Sequence, residues 1–221
     1  MEVFHGSEKI IEAPNFDFRN TANDYGRGFY CTEDIELAKE WACKKSNNGF
    51  ANIYDLDTEG LNICNLNGDE YNILNWLALL TKNRGYWQNH TIAEDAKVFL
   101  QKEYLPDTSA ADIIIGYRAD DSYFSFAQDF ISGVISLQQL AKAMYLGKLG
   151  EQIVLKSEKA FSSIKFKGYK IAEAEIYYQK KAKRDIEARR EYGVNKASRN
   201  VDDIYIIDIL RGRVKEDDLR I

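Results

Sequence analysis

Proline, histidine, cysteine and methionine are scarce in this sequence of 221 residues, at 2, 2, 3 and 2 copies. Pro14 and Pro106 cannot make a proline-rich linker, and neither an internal repeat nor a low-complexity tract is present. Cys31, Cys43 and Cys64 are an odd number at spacings that match no zinc pattern, and two histidines cannot complete one. These counts argue against a disulfide scaffold and against a metal site. No run approaches the roughly 18 apolar residues that a membrane span needs. Met1 leads into Glu2 and His5 without the basic and apolar segments of a secretory leader. A cytoplasmic protein with no membrane partner is the expectation.

What remains is 45% hydrophobic, 13% aromatic and 29% charged, the balance of a globular chain able to bury a core. The net charge of -5 is unevenly spread: residues 165–199 carry eleven basic and five acidic side chains, so this segment is +6 and the remainder -11. Such a stretch attracts phosphates or an acidic partner, or forms a solvated, charge-laced helix face, which is the commoner outcome.

Hydrophobic periodicity predicts short strands at Val3–Ser7, Ala51–Leu56, Ile113–Gly116 and Gln152–Leu155, and one or two more within 164–179. Residues 15–27 read as a polar loop. Helices are predicted after Thr32 as N-cap, after Asp69, after a Thr91/Glu94 capping box, and after a Ser136/Gln139 capping box, the last stopping at Gly147. Ser157 caps a short turn of helix, and a helical tail follows from Lys180 to Tyr192 and from Asp202 to Leu210. Strands and helices so interspersed predict an α+β domain.

Three local signatures stand in order: His5-Gly6-Ser7, Gly26-Arg27-Gly28-Phe29-Tyr30, and Glu151-Gln152-Ile153-Val154. Together they resemble the ADP-ribosyltransferase superfamily, in the branch of diphtheria toxin and poly(ADP-ribose) polymerase, whose members carry a His, Tyr, Glu triad on three strands. Asp24 to Thr32, Ala38 to Ala42 and Asp112 to Gly116 look like an uncharacterised bacterial and phage-borne family within it, often found in toxin–antitoxin-like neighbourhoods. The resemblance covers residues 1 to about 167. It implies two small packed sheets forming an NAD cleft, helical insertions at 69–104 and 120–147, and a domain of residues 1–179 on which a C-terminal helical extension, 180–221, packs.

The resemblance also implies roles. His5 hydrogen-bonds a ribose hydroxyl of the adenosine half, Gly6 backbone groups hold the nicotinamide amide, and Ser7 helps fix the adenosine ribose. Tyr30 stacks on nicotinamide, and Trp41, eleven residues later, takes its other face. Arg27 is the candidate for the pyrophosphate, since guanidinium forks suit paired phosphate oxygens. The third triad position is open: aligning on the late strand puts Glu151 there, while aligning on the following helix puts Gln152 there. Alternation groups Glu151 with Ile153 and Leu155, the more apolar set, which favours Glu151. Cys31 reads as a buried filler and Asp120-Asp121 as a loop or helix cap.

The implied activity is transfer of ADP-ribose from NAD, as co-substrate, to a macromolecule, protein or nucleic acid, by a toxin of a toxin–antitoxin or phage-related system with an acidic antitoxin as partner. The alternatives are a catalytically silent NAD- or ADP-ribose-binding or interaction module, and an NAD glycohydrolase with water as acceptor. A Rossmann site is not supported, because Gly26-Arg27-Gly28 neither follows a strand of a βαβ unit nor has the third glycine.

Overall fold

Apolar residues alternate at both ends of residues 1–172, and in the computed structural model these stretches pair across the chain rather than locally. The structure describes residues 1–16, 23–85, 91–119, 121–148 and 150–219; His90 and Asp120 lie outside them. The first half runs β1 (Glu2–Ser7), β2 (Phe29–Cys31), α1 (Ile35–Ala42), β3 (Gly49–Leu56), β4 (Ile63–Asn65), α2 (Ile73–Asn83) and α3 (Ile92–Glu103). The second half runs β5 (Ile113–Tyr117), α4 (Asp121–Ile131), α5 (Leu137–Met144), β6 (Glu151–Leu155), α6 (Glu158–Ser162), β7 (Ile164–Ala172), α7 (Ala174–Ala197) and α8 (Ile206–Leu210).

The architecture is α+β with two small sheets. One has the order β1-β3-β7 and the other β2-β6-β5-β4. Val3, Tyr54 and Leu56 of the first sheet meet Phe29, Cys31, Ile113, Ile153 and Leu155 of the second in one buried cluster, so the sheets pack face to face. The far face of the second sheet, with Ile114 and Val154, is covered by apolar residues of α2, α3, α4, α5, α7 and α8. The far face of the first sheet holds Phe4 and Ala51 under Ala38 of α1.

Local chemistry sets the helix starts. Asp34, not Thr32, caps α1 by accepting from the N–H groups of Glu36 (2.8 Å) and Leu37 (3.3 Å). Thr32 is held in extended backbone by reciprocal hydrogen bonds with Phe4, at 2.8 and 2.9 Å, which delays the helix by two residues. Asn72, not Asp69, caps α2 in a capping box with Asn75. The Ser136/Gln139 box is formed, and Ser157 caps α6. The 164–179 stretch is a single strand followed by helix: alternation ends at Ala172, where Ala172 and Ala174 pack against Ala42 and Cys43, and α7 starts there instead of at Lys180. The expected boundary between 179 and 180 therefore falls inside a continuous helix of 24 residues. Of the 202–210 stretch only Ile206–Leu210 is helical, burying Ile206 and Ile209.

Two glycines let α1 lie against the first sheet. A Cβ on Gly6 would sit 2.0 Å from the Ala38 carbonyl oxygen, and one on Gly49 would sit 2.2 Å from that of Ala42. Neither backbone can yield without lifting the helix. Gly49→Ala is expected to lower stability by about 1–3 kcal/mol in chemical denaturation, the usual range for overpacking. Gly193, inside α7 with no atom within 4 Å of a built Cβ, is the contrast: Gly193→Ala is expected to raise stability by about 1 kcal/mol. An unchanged midpoint for Gly49→Ala would contradict the seat described for α1.

Candidate functional site

β1 and β2 are edge strands of their sheets, and a backbone bridge joins Phe4 of β1 to Thr32, the residue after β2. Residues of both strands line a cavity of about 690 Å³, within the roughly 300–1,000 Å³ typical of small-molecule sites. His5, Gly6, Tyr30, Trp41 and Gln152 all line it. Three separated stretches of sequence thus converge on one cavity.

His5 stacks on Phe29, with ring centroids 4.3 Å apart, and its Nδ1 lies 2.7 Å from the Tyr30 carbonyl oxygen. A carbonyl only accepts, so Nδ1 carries the proton and Nε2 keeps its lone pair. Burial pushes the His5 pKa below the ordinary 6.5, with the Tyr30 carbonyl opposing the shift, so the ring is neutral at physiological pH. Gly6 follows Phe4 by two residues. Phe4 directs its N–H and C=O off the β1–β3 ladder to Thr32, and the strand alternation turns those of Gly6 the same way, toward the cavity edge.

Tyr30 is a platform. Its hydroxyl donates to the Gly26 carbonyl (2.6 Å) and accepts from the Tyr25 N–H (3.1 Å), while burial pushes its pKa upward. The phenol is spent on the 23–28 loop and the ring remains as a surface. The same loop is gripped by Lys156, whose Nζ donates to the carbonyls of Tyr25 and Arg27, and whose pKa burial lowers to about 8. Trp41 carries the Arg118 guanidinium 3.5 Å over its ring centroid.

The strand register separates the surroundings of Glu151 and Gln152. Gln152 lines the cavity and is 6% exposed, whereas Glu151 is exposed and accepts from Asn67 Nδ2 at 2.6 Å. Alternation did not report which of the two lines the cavity, because β6 is an inner strand covered on both faces: Ile153 and Leu155 face the other sheet, and Val154 faces the helices. Gln152 Oε1 is buried and, among the described residues, meets no hydrogen-bond donor. Arg27 and Ser7 are not brought to the cavity. Arg27 donates from Nη2 to the Phe16 carbonyl (2.6 Å) and lies over the Phe16 ring, while Ser7 Oγ accepts from the Lys9 N–H (3.2 Å).

Other cavity residues escaped sequence reasoning. Asp24, 4% exposed, binds Arg84 at 2.7 Å and accepts from the Ala119 N–H at 2.9 Å, tying the loop to the ends of α2 and β5. Burial raises its pKa, with Arg84 opposing. Glu40 binds Arg184 of α7 at 2.5 Å. Tyr178, Lys181, Asp185, Ala188 and Arg189 of α7 complete that wall. Arg84 and Arg118 gave no local signal, because their partners lie far away in the chain. The basic composition of α7 was visible, but not the side it presents. Among the described residues no group of three or more His, Cys, Asp or Glu side chains is arranged to hold a metal, and no helix is long and apolar enough to cross a membrane.

The His5 environment has a pH signature. Its folded-state pKa is depressed, so between that value and about 6.5 the unfolded chain binds more protons. The contribution of neutral His5 to stability is fully present above about 6.5 and is lost as pH falls through the folded value. Wild type is expected to lose more thermal stability than His5→Asn between about pH 7.5 and about pH 5. Equal losses in the two proteins would contradict a buried neutral ring.

Comparison with known proteins found no match among curated proteins and none among solved structures. Residues 1–166 do match a family, DUF3990, described as a protein of unknown function. With 166 of 221 residues covered, the chain belongs to the DUF3990 family.

Proposed function

We propose that this protein binds NAD in the cavity between β1 and β2 and transfers its ADP-ribose to a macromolecular acceptor. The observation that carries the reading is the convergence of His5, Gly6, Tyr30, Trp41 and Gln152 on one cavity. Cleavage of the nicotinamide–ribose bond passes through an oxocarbenium-like ribose, as glycoside cleavage does. Nicotinamide is cationic in NAD and leaves neutral, so no general acid is required. The demands are grip, orientation and tolerance of developing positive charge.

The cavity residues suit those demands. The Nε2 lone pair of neutral His5 accepts from a ribose hydroxyl. The Gly6 N–H and C=O, turned toward the cavity, match a carboxamide that offers one acceptor and one donor. Tyr30 presents aromatic surface to a flat ring, and Trp41, one face of which carries Arg118, lines the same cavity. Gln152 Oε1, buried without a donor, accepts from the ribose 2′-hydroxyl. The acceptor is protein or nucleic acid, and a toxin held by an acidic antitoxin is the biological setting that the basic C-terminal segment favours.

A second reading has its own observation. Gln152, the residue of the pair that lines the cavity, is an amide and not a carboxylate, so with Gln152 as the third triad residue one charge that would favour the oxocarbenium ion is missing. This supports binding of NAD or ADP-ribose with slow turnover, or none.

Incubation with NAD labelled on the adenine moiety, in a cell extract, tests both. Label is expected to enter macromolecules, with protease or nuclease sensitivity naming the acceptor. His5→Ala and Tyr30→Ala are expected to reduce transfer by about 100-fold, the scale for removing one preorganised contact. Glu151→Gln is expected to stay near wild type and Gln152→Ala to lose most transfer. Nicotinamide release without labelling would mean water is the acceptor. NAD-dependent thermal stabilisation without release would favour the binding module, and no NAD effect at all would overturn both readings.

A further inference from the structure

We infer that α7, which lies beyond the family-matched residues, completes the site as its diphosphate-binding wall, with Arg184 and Lys181 taking the phosphate oxygens of a nucleoside diphosphate that carries a ribose. This rests on the NAD reading above and names the element that holds the part of the ligand for which Arg27 is out of reach.

The first argument is charge. Among the described residues that line the cavity, Arg84, Arg118, Lys181, Arg184 and Arg189 are cations and Asp24, Glu40 and Asp185 are carboxylates. With His5 neutral, the cations exceed the carboxylates by two, which equals the charge of a diphosphate diester. Three of the five cations come from α7, so without this helix the cavity would carry no surplus.

The second argument is an orphaned donor. Arg184 Nη2 is fixed on Glu40 Oε1 at 2.5 Å, while its Nη1 is buried and has no hydrogen-bond partner among the described residues. A buried N–H left unmade costs roughly 1–3 kcal/mol, so the guanidinium is held by one fork with the other ready for an anionic oxygen. Gln152, a residue 6% exposed, holds its Oε1 buried and without a donor among the described residues, an orphaned acceptor in a residue lining the same cavity. An unused donor on a cation and an unused acceptor on a neutral amide call for one ligand that offers both anionic oxygens and a hydroxyl. A ribose diphosphate does so.

The third argument is rigidity. Glu36 accepts from Tyr177 (3.1 Å) and Lys180 (3.0 Å) near the start of α7. Near its end, Tyr192 donates to Asp129 (2.6 Å) and stacks on Phe126 at 3.8 Å, while Gln139 Nε2 donates to the Asn195 carbonyl (2.7 Å). Lys181 and Arg184 stand three residues apart between these anchors, on one side of the helix. Cations on an element pinned at both ends bind at a lower ordering cost than cations on a loop.

Calorimetric titration of the full chain with ADP-ribose and, separately, with nicotinamide tests this. Lys181→Ala and Arg184→Lys are the variants, since lysine at 184 keeps a charge for Glu40 but lacks the fork; Lys183→Ala on the same helix is the control. Each variant is expected to lose about tenfold in ADP-ribose affinity, with nicotinamide binding and thermal stability retained and Lys183→Ala unchanged. Wild type is also expected to lose ADP-ribose affinity with rising salt more steeply than Lys181→Ala. Undiminished ADP-ribose affinity in both variants, with wild type binding, would overturn the inference and leave the NAD reading standing. Failure of wild type to bind either compound or NAD would remove the NAD reading, and this inference with it.

Discussion

The contact between α1 and the first sheet at Gly6 and Gly49 is the constraint on which the site depends. With backbone atoms of Ala38 and Ala42 where a Cβ would stand, the helix lies closer to β1 and β3 than side chains would allow. That proximity brings Trp41, one residue before Ala42, to the same cavity as the His5-Gly6 edge. It also presents Glu36 and Glu40, one helical turn apart, to α7. Were α1 raised by a methyl group, the aromatic wall and the anchor for α7 would move together.

The two acidic contacts from α1 do different work. Glu36 collects Lys39, Lys180 and the Tyr177 hydroxyl, which draw its pKa to about 2. Its side chain is 46% exposed, however, so solvent screens the pair and its contribution to stability stays within about 1 kcal/mol. Glu40 is 4% exposed at the side chain and Arg184 is 24% exposed, so their pair lies in a poorer dielectric. There the gain from attraction and the cost of desolvation roughly offset each other. Such a pair adds little net stability, but it fixes where the Arg184 guanidinium points. Asp24 and Arg84, also among the residues lining the cavity, form a second pair of this kind. The cavity is thereby lined with charges whose orientation was set during folding, which is the condition under which dipoles and charges act without reorganising when a ligand arrives.

Much of the α+β pattern was legible in the sequence, because strands such as Ile113–Tyr117 and caps such as Ser136 with Gln139 are local features. Helix starts erred where tertiary contacts overrode a good capping residue, as at Thr32, whose backbone is claimed by Phe4. His5, Gly6, Tyr30 and Trp41 were legible as a set because motif order survives in sequence. Arg84, Arg118 and Arg184 were not, since each acquires its meaning from a partner 60 to 144 positions away or from an aromatic ring on another element. The side of β6 facing the cavity was illegible for another reason. Period-two alternation identifies a buried face only when the other face is wet, and an inner strand between a second sheet and a helical layer has no wet face.

That inner position has a chemical consequence at residue 152. A carboxylate with the burial of Gln152 would face a large desolvation cost unless cations surrounded it, and its pKa would rise accordingly. An amide avoids that cost and still offers a carbonyl oxygen to a hydroxyl; on the proposed reading it would orient a ribose while giving less electrostatic help to a cationic one. The cationic surplus of the cavity would act in the same direction on the proposed reading, favouring a diphosphate and disfavouring positive charge developing on a sugar. On the proposed NAD reading, turnover would draw more on the phosphates, which would neutralise the α7 wall, and on His5 and the aromatic rings, than on residue 152. On that reading, the arrangement that suits a ribose diphosphate would also restrain catalysis.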